Sequence, residues 1–181
     1  MHDVSRHVLI SGCSGGGKSS LLDLLSAHGF ATVEEPGRRI IREEEARGGS
    51  ALPWIDLPAF ARRAATLALQ DRMDMATQSG WVFFDRGLVD AAVALEHVAG
   101  ESAATLLADA APYHHRVFLT PPWPEIYRQD GDRRHDLAAA IAEYDRLAAA
   151  LPKLGYQVII LPKISVEDRM DFLLDCLDTA H

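Results

Sequence analysis

Short apolar runs alternate with longer amphipathic segments along the whole chain. The runs lack polar alternation, which predicts buried strands at residues 7–11, 30–34, 81–84, 116–120 and 157–161. Between them, apolar residues recur every three or four positions, which predicts helices at 18–28, 38–47, 57–77, 88–98, 102–111, 135–151 and from 166 onward. Strands that are apolar on both faces need helices on both sides. The pattern therefore predicts an α/β fold with a parallel sheet between two helical layers.

The first predicted strand leads directly into a glycine-rich turn. Gly12–Ser19 reads GCSGGGKS, which matches the phosphate-binding pattern GxxxxGK[ST]. Its glycines allow backbone N–H groups to turn inward around a polyphosphate, and the helix that starts at Lys18 directs its positive end at the anion. Lys18 is expected to reach the outer phosphates and Ser19 to bind Mg²⁺ through its hydroxyl. The alternative is a glycine-rich turn without a ligand. The candidate phosphate-binding residues of this turn are Gly12, Ser14, Gly15, Gly16, Gly17, Lys18 and Ser19.

Two other predicted strands end in acidic residues. Ligands of open parallel sheets bind at the carboxyl ends of the strands, so these residues are candidates for chemistry. Asp85 is expected to hold Mg²⁺ or to accept a proton from a substrate hydroxyl, and the alternative is a helix N-cap. Glu35 is a candidate general base or orienting group, and the alternative is an ordinary acidic turn residue. Glu34, one residue earlier, is expected to point to the other face.

An arginine-rich segment follows the fourth predicted strand. Arg128, Arg133 and Arg134 lie between that strand and the next helix. A loop at this place can close over a triphosphate, neutralise the transferring group and exclude water. The alternative is a solvated loop.

Composition narrows the classes of partner. The chain has 181 residues, a net charge of −8, 15 arginines and only three lysines. So acidic a chain is not expected to bind nucleic acid non-specifically. It has two cysteines, no apolar run of about 18 residues and no apolar core of a signal peptide at its start. We therefore expect a cytoplasmic protein without a disulfide framework or a membrane partner; the oligomeric state is not predicted.

These motifs together resemble the P-loop nucleoside and nucleotide kinases. Glu35-Pro36-Gly37 resembles the Glu-Pro-Gly of thymidylate kinases and the Glu-Pro of deoxynucleoside kinases, and Asp85-Arg86 resembles their Asp-Arg pair. The resemblance is closer to small AAA-like ATPases, the group that includes nicotinamide riboside kinase-type domains. The segments that carry this closer likeness are Asp130-Gly131-Asp132-Arg133, Tyr144 to Leu147 and Leu161-Pro162-Lys163.

The resemblance implies a three-layer P-loop NTPase fold with a five-stranded parallel sheet in the order 2-3-1-4-5. It implies one domain over residues 1–181 with an arginine-rich lid at about 121–136. The cofactors implied are ATP and Mg²⁺. The roles it implies are ATP phosphate binding by Gly15 to Ser20, magnesium binding by Ser19 and Asp85, acceptor-proton transfer by Glu35 or Asp85, acceptor binding by Arg86, a lid with Arg128 and Arg133, and an adenine border from Pro162 to Ser165.

The expected function is transfer of the ATP γ-phosphate to a small metabolite, a nucleoside or nucleotide. Arg38-Arg39 replaces the Gly-Thr that follows Glu-Pro-Gly in thymidylate kinases, which argues against dTMP as the acceptor. Arg63 and Gln70 share one helix face that could read a base, although a solvated face is favoured. The alternative function is an ATPase or NTP-binding regulatory module that a protein partner reads. A translation-type GTPase is disfavoured because the chain lacks an Asn-Lys-x-Asp motif.

Overall fold

A computed structural model describes residues 5–127 and 137–178 of the protein. It confirms a five-stranded, all-parallel sheet in the order β2-β3-β1-β4-β5 with helices on both sides. In chain order the elements are β1 His7–Gly12, α1 Lys18–Ala27, β2 Ala31–Val33, α2 Pro36–Arg47, α3 Leu57–Asp74, β3 Val82–Asp85, α4 Leu88–Ala99, α5 Ala103–Leu107, β4 Arg116–Thr120, α6 Leu137–Lys153, β5 Gln157–Ile160 and α7 Val166–Asp178.

The register of the sheet brings the strand ends together. Ile10 in the central strand β1 pairs with Asp85 of β3 on one side and with Phe118 of β4 on the other. Gly12, the last residue of β1, pairs with Thr120, the last residue of β4. Because all strands run in one direction, the carboxyl ends of β1, β3 and β4 meet at one edge of the sheet.

Neighbouring residues in the central strands face opposite helical layers. Val8 and Ile10 pack with Phe118 against α1 and α7, and Leu9 packs with Phe84 on the side of α3, α4 and α6. These side chains are almost completely buried, which explains why the strands are apolar without alternation. No helix within residues 5–127 and 137–178 is long and apolar enough to cross a membrane.

Most element boundaries fall within a few residues of the predicted ones. The cap of α3 is as expected, because the Asp56 carboxylate accepts a hydrogen bond from the N–H of Ala59 at 3.0 Å. Helix α2 begins at Pro36 rather than Arg38, since proline is compatible with the first turn of a helix. Helix α5 ends at Leu107, short of the predicted residue 111. The predicted start of α6 at residue 135 lies outside the described residues.

The histidine at the start of β1 makes stability depend on pH. Arg72 Nε donates to His7 Nδ1 at 2.8 Å, which requires that nitrogen to be unprotonated, and His7 Nε2 faces the carbonyl of Met75 at 3.2 Å. Burial and then the positive charge of Arg72 lower the pKa of His7 below 6.5. In the folded protein His7 therefore stays neutral at a pH where the unfolded chain binds a proton, so stability is lost as pH falls below about 6.5.

We expect the native protein to lose more stability than a His7→Gln variant between pH 7.5 and 5.5. Asp85, whose pKa is raised to about 6, acts in the opposite direction in both proteins, so the comparison isolates His7. Burial also lowers the pKa of His114, and this effect is likewise common to both proteins. Melting curves of both proteins across this range test the expectation, and an identical slope in the two would show that His7 does not contribute.

Candidate functional site

The glycine-rich turn wraps around the carboxyl end of β1 and is held by β4. Cys13 N–H donates to the carbonyl of Thr120 at 2.8 Å, and Gly16 N–H donates to the carbonyl of Cys13 at 3.1 Å. A Cβ on Gly16 would lie 2.7 Å from the Thr120 side chain, and one on Gly12, whose φ is +111°, would overlap the Thr120 backbone. Only glycine fits at these two positions, so the close turn predicted from the sequence is present.

Helix α1 begins at the end of this turn with a buried lysine. Lys18 is 6% exposed, and its Nζ donates to the carbonyl of Cys13 at 3.2 Å. Burial, followed by the charge of Arg86, lowers the pKa of Lys18, and the carboxylate of Asp85 acts in the opposite direction. The next two residues, Ser19 and Ser20, are exposed on the first turn of the helix. The ammonium group is therefore confined within the loop, and the two hydroxyls are open to a ligand.

Asp85 ends the neighbouring strand β3 and is also buried, with 6% exposure. Its Oδ1 has no hydrogen-bond partner in the part of the chain that the structure describes. Burial and the nearby carboxylate of Glu35 raise the pKa of Asp85 to about 6, against the lowering effects of Lys18 and Arg86. The helix-cap alternative for Asp85 is wrong, because Gly87 N–H, at the start of α4, donates to the carboxylate of Asp90 at 3.0 Å.

Arg86 connects four parts of the site. Its φ of +58° is unusual for a residue other than glycine. Its NH1 lies 2.6 Å from the Glu143 carboxylate and 3.7 Å from that of Asp90, and its NH2 donates to the carbonyl of Gly12 at 3.2 Å. Its Nε lies 3.4 Å from the Glu35 carboxylate.

These contacts hold the Arg86 guanidinium in one place. Burial alone would lower the pKa of Arg86, but the carboxylates, Glu143 first and Glu35 second, outweigh burial and raise it. Arg86 therefore stays charged and ties the glycine-rich turn to α2, α4 and α6.

Glu35 and Glu34 have different surroundings. Glu35 lies at the N-cap position of α2, with its carboxylate 3.2 Å from Nε of Arg38 and within reach of Arg86. Glu34 is half-exposed and pairs instead with Arg42 at 2.7 Å. The two neighbouring acids thus differ in orientation, as the period-two argument predicts, and only Glu35 faces the strand ends.

A cavity of about 330 Å³ lies beside these residues. Its polar lining includes Glu35, Asp90 and Glu143, which cluster around Arg86, and also Ser14, Arg38, His97 and Arg146. Its walls are mainly apolar and come from α2, α3, α4 and α6; they include Ile41, Phe60, Val93, Ala140 and Leu147. A cavity of this size, lined by apolar side chains and polar groups, fits a small molecule with a ring and hydrogen-bonding groups.

Other candidates from the sequence lie elsewhere or outside the described residues. Arg63 pairs with Glu43 at 2.7 Å and also with Glu44, and Gln70 donates to Asp74 at 2.8 Å. Neither Arg63 nor Gln70 lines the cavity, so their helix face does not read a base there. Pro162 is half-buried just after β5. Arg128, Arg133 and Arg134, the predicted lid arginines, lie outside the described residues.

Sequence reasoning missed three charged residues of this region. Asp90 is the one acid in the first two turns of the apolar helix α4, and it accepts hydrogen bonds from Ser11 and Gly87. Arg169 falls on the apolar stripe of α7, three residues after Val166. A charge at an otherwise apolar position is a signal that could have singled out both residues. Glu143 has no such signal, because it lies at the edge of the stripe of α6.

The sheet order and the turn after β1 define a P-loop kinase-like fold. The sequence profile described as AAA domain (AAA_28) matches residues 7–169. The chain belongs to this family of AAA domains. A comparison with curated proteins by sequence gave no match.

Several solved structures share the fold at low sequence identity. Deoxyadenosine kinase from M. mycoides, solved with dCMP and dCDP, is 12% identical with a TM-score of 0.64, over 97% of this chain and 100% of that one. Thymidylate kinase from Candida albicans is 16% identical with a TM-score of 0.63, over 97% and 92% of the two chains. The NadR protein in complex with NR is 17% identical with a TM-score of 0.69, over 97% of this chain but only 51% of that one.

Proposed function

We propose that the protein is a kinase that transfers the γ-phosphate of ATP, with Mg²⁺, to a small cytoplasmic metabolite of the nucleoside or nucleotide type. One observation carries the proposal. The glycine-rich turn, with its buried Lys18, lies at the same sheet edge as Asp85 and Glu35, and a cavity for an acceptor opens beside Glu35. Donor cradle, carboxylates and acceptor cavity are therefore adjacent.

The residues present fit a magnesium nucleotide. Asp85 Oδ1 is buried without a partner in the described residues, which suits a group that completes its contacts with a ligand. The exposed hydroxyl of Ser19 and the carboxylate of Asp85 would hold Mg²⁺, while the backbone from Gly12 to Gly17 and Lys18 would bind the phosphates. Bound Mg²⁺ would neutralise part of the charge on the phosphates.

On the acceptor side, we assign Glu35 as the group that accepts the proton of the attacking hydroxyl. Glu35 lines the cavity, whereas Asp85, the last residue of β3, is not among the described residues that line it. The carboxylates of Asp90 and Glu143 can accept hydrogen bonds from further hydroxyls of the acceptor. Arg86 would hold these three carboxylates in position and add positive charge near the transferring group.

The cavity supports a nucleoside or nucleotide as the acceptor. Phe60 and the surrounding aliphatic side chains form an apolar wall against which a planar ring can pack, while the carboxylates around Arg86 can accept hydrogen bonds from the hydroxyls of a sugar. Among proteins of the same fold, one was solved with dCMP and dCDP and another is a thymidylate kinase. These neighbours support the acceptor class and leave the base open.

The test is phosphoryl transfer from ATP to a panel of nucleosides and nucleoside monophosphates, measured by product formation. We expect transfer to at least one acceptor. For an acceptor that reacts through a hydroxyl, we also expect Glu35→Gln to lower kcat by about 10²- to 10⁴-fold, because a positioned general base contributes that much. Glu34→Gln is the matched control, since Glu34 faces Arg42 on the exposed side. Hydrolysis of ATP that no acceptor stimulates, with Glu35→Gln as active as the native protein, would favour an ATPase or a nucleotide-dependent regulatory module instead.

A further inference from the structure

Helix α7 places an arginine against the glycine-rich turn. Arg169 is 2% exposed, and its NH2 donates to the carbonyl of Gly16 at 3.1 Å. Its NH1 lies 2.7 Å from the position that a Cβ on Gly17 would occupy. The guanidinium is therefore packed directly on the two residues that precede Lys18.

The charge of Arg169 has no counterion in the described structure. Within residues 5–127 and 137–178, no carboxylate forms an ion pair with it, and its Nε is buried without an acceptor. The ring of Trp123 also lies near the guanidinium, with its centre 5.6 Å from Cζ. Burial lowers the pKa of Arg169, and no carboxylate of the described residues opposes that effect.

Two other buried arginines show what is missing at Arg169. Arg86 is surrounded by three carboxylates. Arg72 has no carboxylate partner among the described residues, but it donates to His7 and to the carbonyl of Pro112 and stacks on Tyr113 at 3.9 Å. Among the described residues, the polar and ring contacts of the Arg169 guanidinium are one carbonyl and a more distant ring. A buried cation with so few partners is unfavourable unless a ligand brings the opposite charge.

We propose that Arg169 binds the phosphates of the donor nucleotide. Through this residue, α7 would add a second buried positive charge to the glycine-rich turn, beside that of Lys18. This inference rests on the proposed function. The ligand chemistry is that of a nucleoside di- or triphosphate, because such an anion would lie next to Gly16 and Gly17 and provide the missing counterion. A buried guanidinium attracts a polyphosphate strongly, since little water screens the two charges.

The experiment compares the affinities of the native protein, Arg169→Met and Arg169→Lys for ATP, ADP and adenosine by calorimetry. We expect Arg169→Met to lower the affinity for ATP and ADP by roughly 10- to 100-fold, the range for loss of a charge-assisted hydrogen bond. The affinity for adenosine should fall by less than twofold. Arg169→Lys should recover part of the loss, because it keeps the charge but not the planar donor arrangement. Arg62→Met is the control, since Arg62 lies in an exposed pair with Glu101.

The outcomes separate this role from a structural one and from failure of the proposed function. If the affinities for ATP and adenosine fall equally and the melting temperature falls as well, Arg169 only supports the turn, and the inference is overturned. Unchanged ATP affinity in Arg169→Met would overturn it as well. If Arg169→Met does not fold, the same affinities are compared between Arg169→Gln and Arg169→Lys. Absence of ATP binding by the native protein would instead contradict the proposed function.

Discussion

Replacing Asp85 with asparagine should lower phosphoryl transfer by about 10²- to 10³-fold, the range for losing one electrostatic contact that stabilises a transition state, without lowering the melting temperature. The activity falls because the amide cannot supply the negative charge that we assign to a magnesium ligand. The stability is retained because the fold disfavours the ionised side chain: burial and Glu35 raise its pKa to about 6. A raised carboxyl pKa means that ionisation costs stability at neutral pH, so a neutral side chain removes that cost.

Steady-state kinetics and melting curves of the same preparation test this pair of effects. Asp74→Asn is the control, because Asp74 is exposed on α3 and contacts only Gln70 among the described side-chain hydrogen bonds. A stable Asp85→Asn protein with near-native turnover would remove Asp85 from the reaction. A large fall in melting temperature would show that the buried carboxylate is structural.

Replacing Lys18 with methionine should weaken ATP binding by about 100-fold, within the range for a hydrogen-bonded charge lost from a buried site. Lys18 is confined within the glycine-rich turn, where its ammonium donates to the backbone carbonyl of Cys13 at 3.2 Å. Burial lowers its pKa, and a bound polyphosphate would stabilise the charged form. The affinity for ATP should therefore fall much more than the affinity for adenosine.

Calorimetric titration with ATP and adenosine measures the change. Lys153→Met is the matched control, since Lys153 is the last residue of α6 and lies at the opposite end of that helix from the site. Native-like ATP affinity in Lys18→Met would contradict the phosphate cradle itself. If Lys18→Met does weaken ATP binding, the double variant Lys18→Met/Arg169→Met shows whether the two buried cations contact the same phosphates. In that case the two losses of binding free energy should not be additive.

Arg86 gives the site its internal order. It touches the turn after β1 and carboxylates from the start of α2, from α4 and from α6. Four separate elements thus meet at one guanidinium, and a change in any of them alters the contacts of the others. Such a hub holds carboxylates of like charge close together, an arrangement that would be unfavourable without the cation between them.

The sequence alone predicts the layers, the parallel sheet and the P-loop, because each depends on local pattern. Unalternating apolar strands need cover on both faces, and the spacing from Gly12 to Ser19 sets the turn. The position of Asp85 and Glu35 at strand ends is equally local, since parallel strands end at one edge. Element boundaries are predicted less well than the elements themselves. The second helix starts at Pro36 rather than Arg38, because the first turn of a helix does not need the N–H that proline lacks.

Only the tertiary structure decides which distant side chains complete the site. Glu143 is separated from Arg86 by 57 residues, yet their side chains lie 2.6 Å apart, and no periodicity indicates that pairing. The same holds for Arg169, which meets Gly16 across 153 residues. Local pattern fixes the elements because it reflects burial of single faces. Contacts between elements depend on how the two helical layers pack on the sheet, and for that reason the sequence determined the phosphate turn whereas the fold determined the charges around it.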